Sequence, residues 1–481
     1  MSLPPQEALL VNTGSVDNPV PVSQAILDGY APGNELYNYP QYPKITSSEL
    51  ESLLGQDYPT IFYELTKKLL AGAIPDEVLR TTAQEAYSPN KFDFDKDGSL
   101  RVTHLESGIK IVGLSDGPTA AFKDMAMQPF ALWMDHLLKS RDRRLTILLS
   151  TSGDTGPAAL NAFGGLSNVE IINMLPNNGV SPFQWAQMAQ LADKPGVHVL
   201  EVEGDFSYLN DLQMAADRTY DIGAVNSVNI ARIIAQVSYH AAAYLRTIEL
   251  ENKEVGDSVD VSVPSGNFGN ALAAIIARKM GVPFREIIVA TNENNTLDTL
   301  FHSGVFKTSD LIHTDSSAQD VRMPSNVWRY FAMLFENDPE KIDRVYQTLT
   351  SVGSVAIEDI GIEDKSVWEG ISSATITAPS RARTIKDTVK TGVLIDPHTA
   401  NGVAAIEKLR GSQLDVPTIT YETAKPFKFD QAMEQILGIK PPRPARFEGL
   451  EESQSGKKLV RIADETELLA YLADHTQAAP K

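Results

Sequence analysis

The 481-residue chain contains no cysteine. Disulfides, thiolate nucleophiles, iron–sulfur clusters and cysteine-rich zinc sites are thereby excluded. Positive charge is also scarce: 42 Lys plus Arg stand against 62 Asp plus Glu, a net charge of -20. Such a surface repels nucleic acid and anionic membranes, so neither is an expected partner, and an anionic ligand must find local donors. No apolar run is long enough to span a bilayer, and the opening MSLPPQEALLVNTGS lacks the basic and apolar regions of an export signal. A cytoplasmic protein is the expectation. Neither G-x-G-x-x-G nor G-x-x-x-x-G-K-S/T occurs, which disfavours dinucleotide and P-loop nucleotide sites. Asp93, Asp95, Asp97 and Gly98 have the spacing of a calcium loop, but the twelfth position is His104 rather than a bidentate Glu. That segment reads as a solvated turn, and no metal site is expected.

The chain is too long for one ordinary core, and 42% apolar with 22% charged residues describes a globular protein. Up to about residue 100, short helical patterns such as ELESLLG and PTIFYELTKKLLAG alternate with Pro- and Tyr-rich turns, which predicts a mixed amino-terminal domain. Beyond it the runs LTILLS, VEIINML, VHVLEVEG, VDVSVPSG, EIIVATNEN, GVLID and PTITYE recur, most of them ahead of a helical pattern. This alternation predicts an α/β fold of βαβ units around mostly parallel sheets, with ligands at the carboxyl ends of the strands. Residues 451–481 read as a carboxy-terminal tail with one short helix, ETELLAYLAD.

Two strand ends carry small-residue loops. LTILLS runs into Thr151, Ser152, Gly153, Asp154, Thr155 and Gly156, and VDVSVP into Ser265, Gly266, Asn267, Phe268, Gly269 and Asn270. Small residues let backbone N–H groups converge at a helix amino terminus, where an anion can sit, although ordinary capped βα turns have the same look. Lys123 follows a Gly-Pro turn in LSDGPTAAFKDMAMQ. It reads either as a solvated lysine at a helix start or as an amine placed for Schiff-base chemistry. One lysine with two anion loops, and neither metal nor thiol, suits pyridoxal phosphate, which brings a carbonyl and a phosphate together.

Here the sequence resembles a known family. DGPTAAFKDMAMQ, TSGDTG, AVNSVNIARIIAQVSYH, SVPSGNFGN, ATNEN, LIDPHTANGVAA and ETAKPFKF are similar, in order, to the successive motifs of the threonine synthase family, fold type II pyridoxal-phosphate enzymes. The resemblance implies two open, mostly parallel-sheet domains with the cofactor between them and a mixed amino-terminal domain over 1–100. It implies a large cofactor-binding domain from 101–124 and 241–450, and a small mobile α/β domain over 125–240. It implies a Schiff base on Lys123, a phosphate cradle of Gly266, Asn267, Phe268, Gly269 and Asn270, and Thr423 facing the pyridine nitrogen. Ser152, Gly153, Asp154 and Thr155 would bind the substrate carboxylate, while Ser181, Asn226, Ser227 and Arg329 would line the substrate pocket; Asn226, Ser227 and Asn229 read equally as helix capping. The implied reaction turns O-phosphohomoserine and water into threonine and phosphate, in a monomer or homodimer acting on a small amino acid.

Several positions depart from the family pattern. The turn before Ser181 reads Asn177, Asn178, Gly179, Val180, where the family carries Lys or Arg; Arg322, Arg329 and Arg381 are the candidates to replace that charge. Asp116 and Lys425 stand where His is common, and Pro129 is expected to interrupt the helix after Lys123. These departures leave open a related lyase acting on another O-activated hydroxy amino acid.

Overall fold

The computed structural model describes residues 7–151, 153–177, 180–204, 206–362, 368–411 and 414–480; Ser152, Asn178 and Gly179 lie outside the described residues. Two parallel sheets organise the chain. The larger has the strand order Ile371–Thr375, Phe284–Thr291, Val259–Pro264, Thr418–Glu422, Lys110–Gly113, Val102–His104, parallel throughout except for the antiparallel last pair. The smaller has the order Val460–Ile462, Val197–Val202, Val169–Pro176, Leu145–Ser150, Ile222–Gly223, and all its pairs are parallel.

The uninterrupted apolar runs follow from this arrangement, since helices cover both faces and leave no face for polar residues. Every residue of VDVSVP is buried. In the larger sheet Val261, Val289 and Ile419 join one apolar cluster, while Ile111, Ile288 and Ala374 join a second. In the smaller sheet Ile147, Leu149 and Ile171 join the first cluster, and Leu148, Ile172 and Leu200 meet Leu468 and Leu472 in a third. The carboxy-terminal segment therefore contributes an edge strand as well as the helix Glu465–His475.

The amino-terminal region carries a small antiparallel sheet of Ser15–Pro21, Leu9–Asn12 and Tyr37–Asn38, with helices Tyr58–Leu69 and Asp76–Ala86. Its Phe62, Leu65 and Leu79 belong to the same apolar cluster as Trp133, Ile234 and Val261, so it shares a core with the sheets. The helix Ile230–Leu250 runs unbroken between the two sheet regions. The turn with calcium-like spacing is tied down by cations: Arg101 pairs with Asp93 at 2.8 Å and Arg246 with Asp95 at 3.5 Å.

Pro129 does not interrupt its helix, which runs from Asp124 to Ser140. Proline cannot donate to the carbonyl four residues back, that of Met125. The Tyr87 hydroxyl donates to that carbonyl at 2.6 Å, so the acceptor is satisfied from outside the helix.

Candidate active site

Three neighbouring strands of the larger sheet end at one place. Lys110–Gly113 leads to the turn before Lys123, Thr418–Glu422 to Thr423, and Val259–Pro264 to the Ser265–Asn270 loop. The approach to Lys123 is pinned to the segment after Thr423: the Phe122 N–H donates to the Thr423 carbonyl at 2.8 Å, and the Lys425 N–H to that of Ala120 at 3.1 Å. Lys123 thus sits at the start of Asp124–Ser140 with its side chain only 11% exposed. This is an enclosed amine, not a solvated one. Burial pushes its ammonium below the ordinary lysine value; Asp154 opposes the shift, while Lys428 and Arg232 add to it.

The loop after Val259–Pro264 has the features of a phosphate cradle. Phe268 adopts the left-handed region at φ 65°, which turns successive amides toward one side as the helix Gly269–Met280 begins. Ser265 Oγ and Asn270 Nδ2 are buried without hydrogen-bond partners among the described residues. Orphaned buried donors of this kind are costly unless a ligand meets them. Asn270 Oδ1 is held by the Tyr239 hydroxyl at 2.7 Å, which leaves its amide nitrogen as the free end. Behind the loop, a Cβ at Gly266 would lie 2.6 Å from the Ala318 carbonyl oxygen. Asn267 accepts from Asn326 through its carbonyl, at 3.1 Å from Nδ2. Thr423 is buried with no hydrogen bond to its hydroxyl among the described residues. These groups fit pyridoxal phosphate: an amine for its aldehyde, unmet donors for its phosphate and a hydroxyl for its ring nitrogen. No group of residues suited to a metal ion occurs among the described residues.

The smaller sheet delivers the facing loop. Leu145–Ser150 ends at Thr151, whose hydroxyl accepts from the Gly153 N–H at 3.2 Å, and Thr155 opens the helix Thr155–Phe163. Asp154, beside it, does not offer donors. One of its oxygens accepts from Lys428 Nζ at 2.9 Å and from Gln184 Nε2 at 2.9 Å, and the other faces Lys123 Nζ at 3.4 Å. Burial works against its charge, yet Lys428 and Lys123 together hold the carboxyl well below the usual range. Ser181 caps the helix Pro182–Leu191 by accepting from the Gln184 N–H at 3.2 Å.

Asn229 Oδ1 accepts from the Ala231 N–H at 3.0 Å and so caps the helix Ile230–Leu250, whereas Asn226 Nδ2 donates to the Tyr30 hydroxyl at 3.1 Å. The Ser227 and Ser325 hydroxyls are 3.2 Å apart. Arg329, read from sequence as a pocket residue, is fully buried and donates to the carbonyls of Tyr37 and Val228 and to Asn326 Oδ1. Its donors are spent on the fold. Arg381 is likewise spent, on Asp315 and Glu293. Arg322, the third candidate, is exposed, and among the described residues a further buried cation, Arg232, is one the sequence reading passes over. It lies in the first turn of Ile230–Leu250, is 5% exposed, forms no ion pair among the described residues, and leaves Nε without a partner. Burial pushes it down to about 10. Its charge adds, after burial and Lys428, to what lowers the Lys123 ammonium. The only sequence signal is a cation inside the apolar run NIARIIAQV.

Comparisons with known proteins bear on the family and the fold. Residues 11–87 match the family model "Threonine synthase N terminus" and residues 399–471 match "Threonine synthase, C-terminal". The chain is 34% identical to a threonine synthase of Methylobacillus glycogenes, covering 94% of this chain and 97% of that protein. It is 35% identical to one of Corynebacterium glutamicum, over 89% and 90%. A crystal structure of pyridoxal-phosphate-bound threonine synthase from Brucella melitensis superimposes with a TM-score of 0.89 at 30% identity, covering 98% of this chain and all of that one. Among the described residues no helix is long and apolar enough to cross a membrane. A buried amine beside a cradle of unmet donors, on a fold shared over nearly its whole length with these enzymes, makes the chain a member of the threonine synthase family, the fold type II pyridoxal-phosphate-dependent lyases.

Proposed function

We propose that the chain converts O-phosphohomoserine and water into threonine and phosphate. The observation that carries this reading is an enclosed amine, Lys123, together with a buried guanidinium, Arg232, that forms no ion pair among the described residues and leaves its Nε unmet. A buried cation without a counter-ion is costly, and a substrate phosphate removes the cost.

When bound, pyridoxal phosphate supplies an aldehyde for Lys123 and a ring that accepts electron density from a carbon losing its proton. Ser265 Oγ, Asn270 Nδ2 and the amides of Gly266, Asn267, Phe268 and Gly269 would hold its phosphate, and the Thr423 hydroxyl would face its ring nitrogen without imposing a charge there. Gly153 and Thr155, with Ser152 outside the described residues, take the substrate carboxylate. Arg232, Asn226 and Ser227 take the distal phosphate, with Ser181 on the facing loop. The Lys123 Nζ would carry the proton removed from the substrate carbon. Water must stay out until phosphate has left, so residues 125–240 are proposed to close on the larger sheet as a mobile unit. A monomer or homodimer in the cytoplasm is part of this reading.

Borohydride reduction of the purified protein followed by peptide mapping is the test of the cofactor assignment, and a pyridoxyl group on any lysine but Lys123 would sink it. Product analysis with O-phosphohomoserine tests the substrate. Loaded protein that releases neither threonine nor phosphate points instead to another O-activated hydroxy amino acid.

A further inference from the structure

Asp154 is misplaced for the part its loop is given, because a carboxylate cannot donate to a substrate carboxylate and both its oxygens already face cations. It lies at the end of the smaller sheet, whereas Lys428 follows the strand Thr418–Glu422 of the larger one, within the 3₁₀ turn Pro426–Phe429. Lys428 is 2% exposed. Besides Asp154, its Nζ donates at 2.6 Å to the Thr119 carbonyl, which also accepts from Gln187 Nε2 at 3.1 Å. Thr119 in turn donates its N–H and its hydroxyl to Asp124, each at 2.8 Å. The lysine is therefore fixed from both sides, and so is the carboxylate it holds.

We infer that Lys428 is a positioning residue that, through Asp154, sets how readily the Lys123 amine reacts. The inference rests on the reading of Lys123 as the cofactor-binding amine. A private ion pair between Asp154 and Lys123 would tie a proton to the nitrogen and suppress its nucleophilicity. With Lys428 on the other oxygen, one carboxylate serves two ammonium groups and the second ammonium repels the first. The charged and titratable groups acting on Lys123 are Asp154, Lys428 and Arg232, and at the helix start the Asp154 charge adds to what raises the buried Asp124 carboxyl. Two cations outnumber the adjacent carboxylate, and the balance favours a neutral amine. Removing Lys428 leaves Lys123 as the cation on Asp154 among the described residues, beside the neutral Gln184 amide.

The test is competitive acetylation of the full chain freed of cofactor, from about pH 6 to about pH 11, read peptide by peptide by mass spectrometry, with the exposed Lys390 as internal reference. In Lys428→Met, labelling of Lys123 near about pH 8 is expected to fall about tenfold, and Lys428→Arg to restore it to within about twofold. Asp154→Asn is expected to raise it several-fold. A folded Lys428→Met with an unchanged Lys123 profile, or a Lys428→Arg that restores nothing, overturns the inference. If Lys428→Met does not fold, Asp154→Asn decides, because an unchanged profile there overturns the inference too. The readout needs neither cofactor nor substrate. It therefore succeeds or fails independently of borohydride trapping and product analysis.

Discussion

Asp116 Oδ1 and Lys425 Nζ lie 2.7 Å apart, and the same ammonium reaches Glu422 Oε2 at 2.5 Å. These are two of the positions at which the sequence departs from its family, and they depart toward each other. Burial raises the Glu422 carboxyl, with Lys425 pulling it back, and Thr423 lies between the members of the cluster. Lys425 keeps 23% of its side chain exposed, so the pair is worth less than a fully buried one. Asp116→His and Lys425→His are each expected to cost about 1 to 2 kcal/mol, and the double variant clearly less than their sum, with a coupling of about 1 kcal/mol. Urea unfolding of the four proteins measures it, and strict additivity would show the pair to be energetically inert.

Arg232 and Arg329 separate binding from folding. Arg232→Met removes a buried charge with no ion-pair partner among the described residues, so it is expected to leave the melting temperature unchanged or higher while lowering kcat/KM for O-phosphohomoserine about tenfold to a hundredfold. Inorganic phosphate should raise the melting temperature of the parent protein and not of this variant. Arg329→Met removes donors from two carbonyls and Asn326, with an expected loss of about 3 kcal/mol or more in stability. The opposite pattern, a stable Arg329 variant with weak substrate binding, would return Arg329 to the pocket.

What the sequence reveals here is what is local. The loop Ser265–Asn270 and the Lys123 turn announce themselves because small residues and punctuation at a strand end act within a few positions. Parallel sheets are legible in runs such as VDVSVP because both faces are buried. Arg329 reads as a pocket cation because sequence displays its charge but not the carbonyls of Tyr37 and Val228 that absorb it. Lys428 and Thr119 are 309 positions apart, so their hydrogen bond has no local trace. Val460–Ile462 is a three-residue edge strand with two exposed residues, too short to set a period.

If the Ser265–Asn270 loop cradles the cofactor phosphate as proposed, cofactor loading depends on the space behind it. A Cβ at Gly266 would sit 2.6 Å from the Ala318 carbonyl oxygen and 3.1 Å from the Gln319 Cα, whereas one at Gly269 meets nothing nearer than 3.4 Å. Gly266→Ala should therefore displace the loop and lose cofactor, while Gly269→Ala should retain most of it. The visible absorbance of the purified variants distinguishes them, and equal loading would remove the cradle from this loop.

Asp124 gives stability a pH signature. Burial pushes its carboxyl up to about 6 from an ordinary 3.8, against the hydrogen bonds from Thr119. Because the folded value is the higher, the native state holds the proton longer, so its contribution is fully present below about pH 4 and is lost as pH rises through about 6. That difference corresponds to about 3 kcal/mol. Asp124→Asn is expected to lose stability overall, since an amide cannot accept at both oxygens, but also to lose this fall between acid and neutral pH. Denaturant unfolding at several pH values gives the slope; an identical slope in the variant would mean that Asp124 titrates normally.

Tyr87 and Pro129 form a pair in which the cost of one change depends on the other. The Tyr87 hydroxyl occupies the Met125 carbonyl that Pro129 leaves without a helical donor. Tyr87→Phe alone strands a buried acceptor and is expected to cost about 1 to 3 kcal/mol. In a Pro129→Ala background, residue 129 regains an N–H that can serve the same carbonyl, so adding Tyr87→Phe should cost about 1 kcal/mol less than it does in the parent. The aromatic contacts of Tyr87 with Tyr58 and Phe62 survive in Phe, which confines the change to the hydroxyl. A double-mutant cycle by urea unfolding reads the difference directly. Equal costs in both backgrounds would mean that the hydroxyl does not substitute for the missing helical bond, and that the helix tolerates Pro129 for another reason.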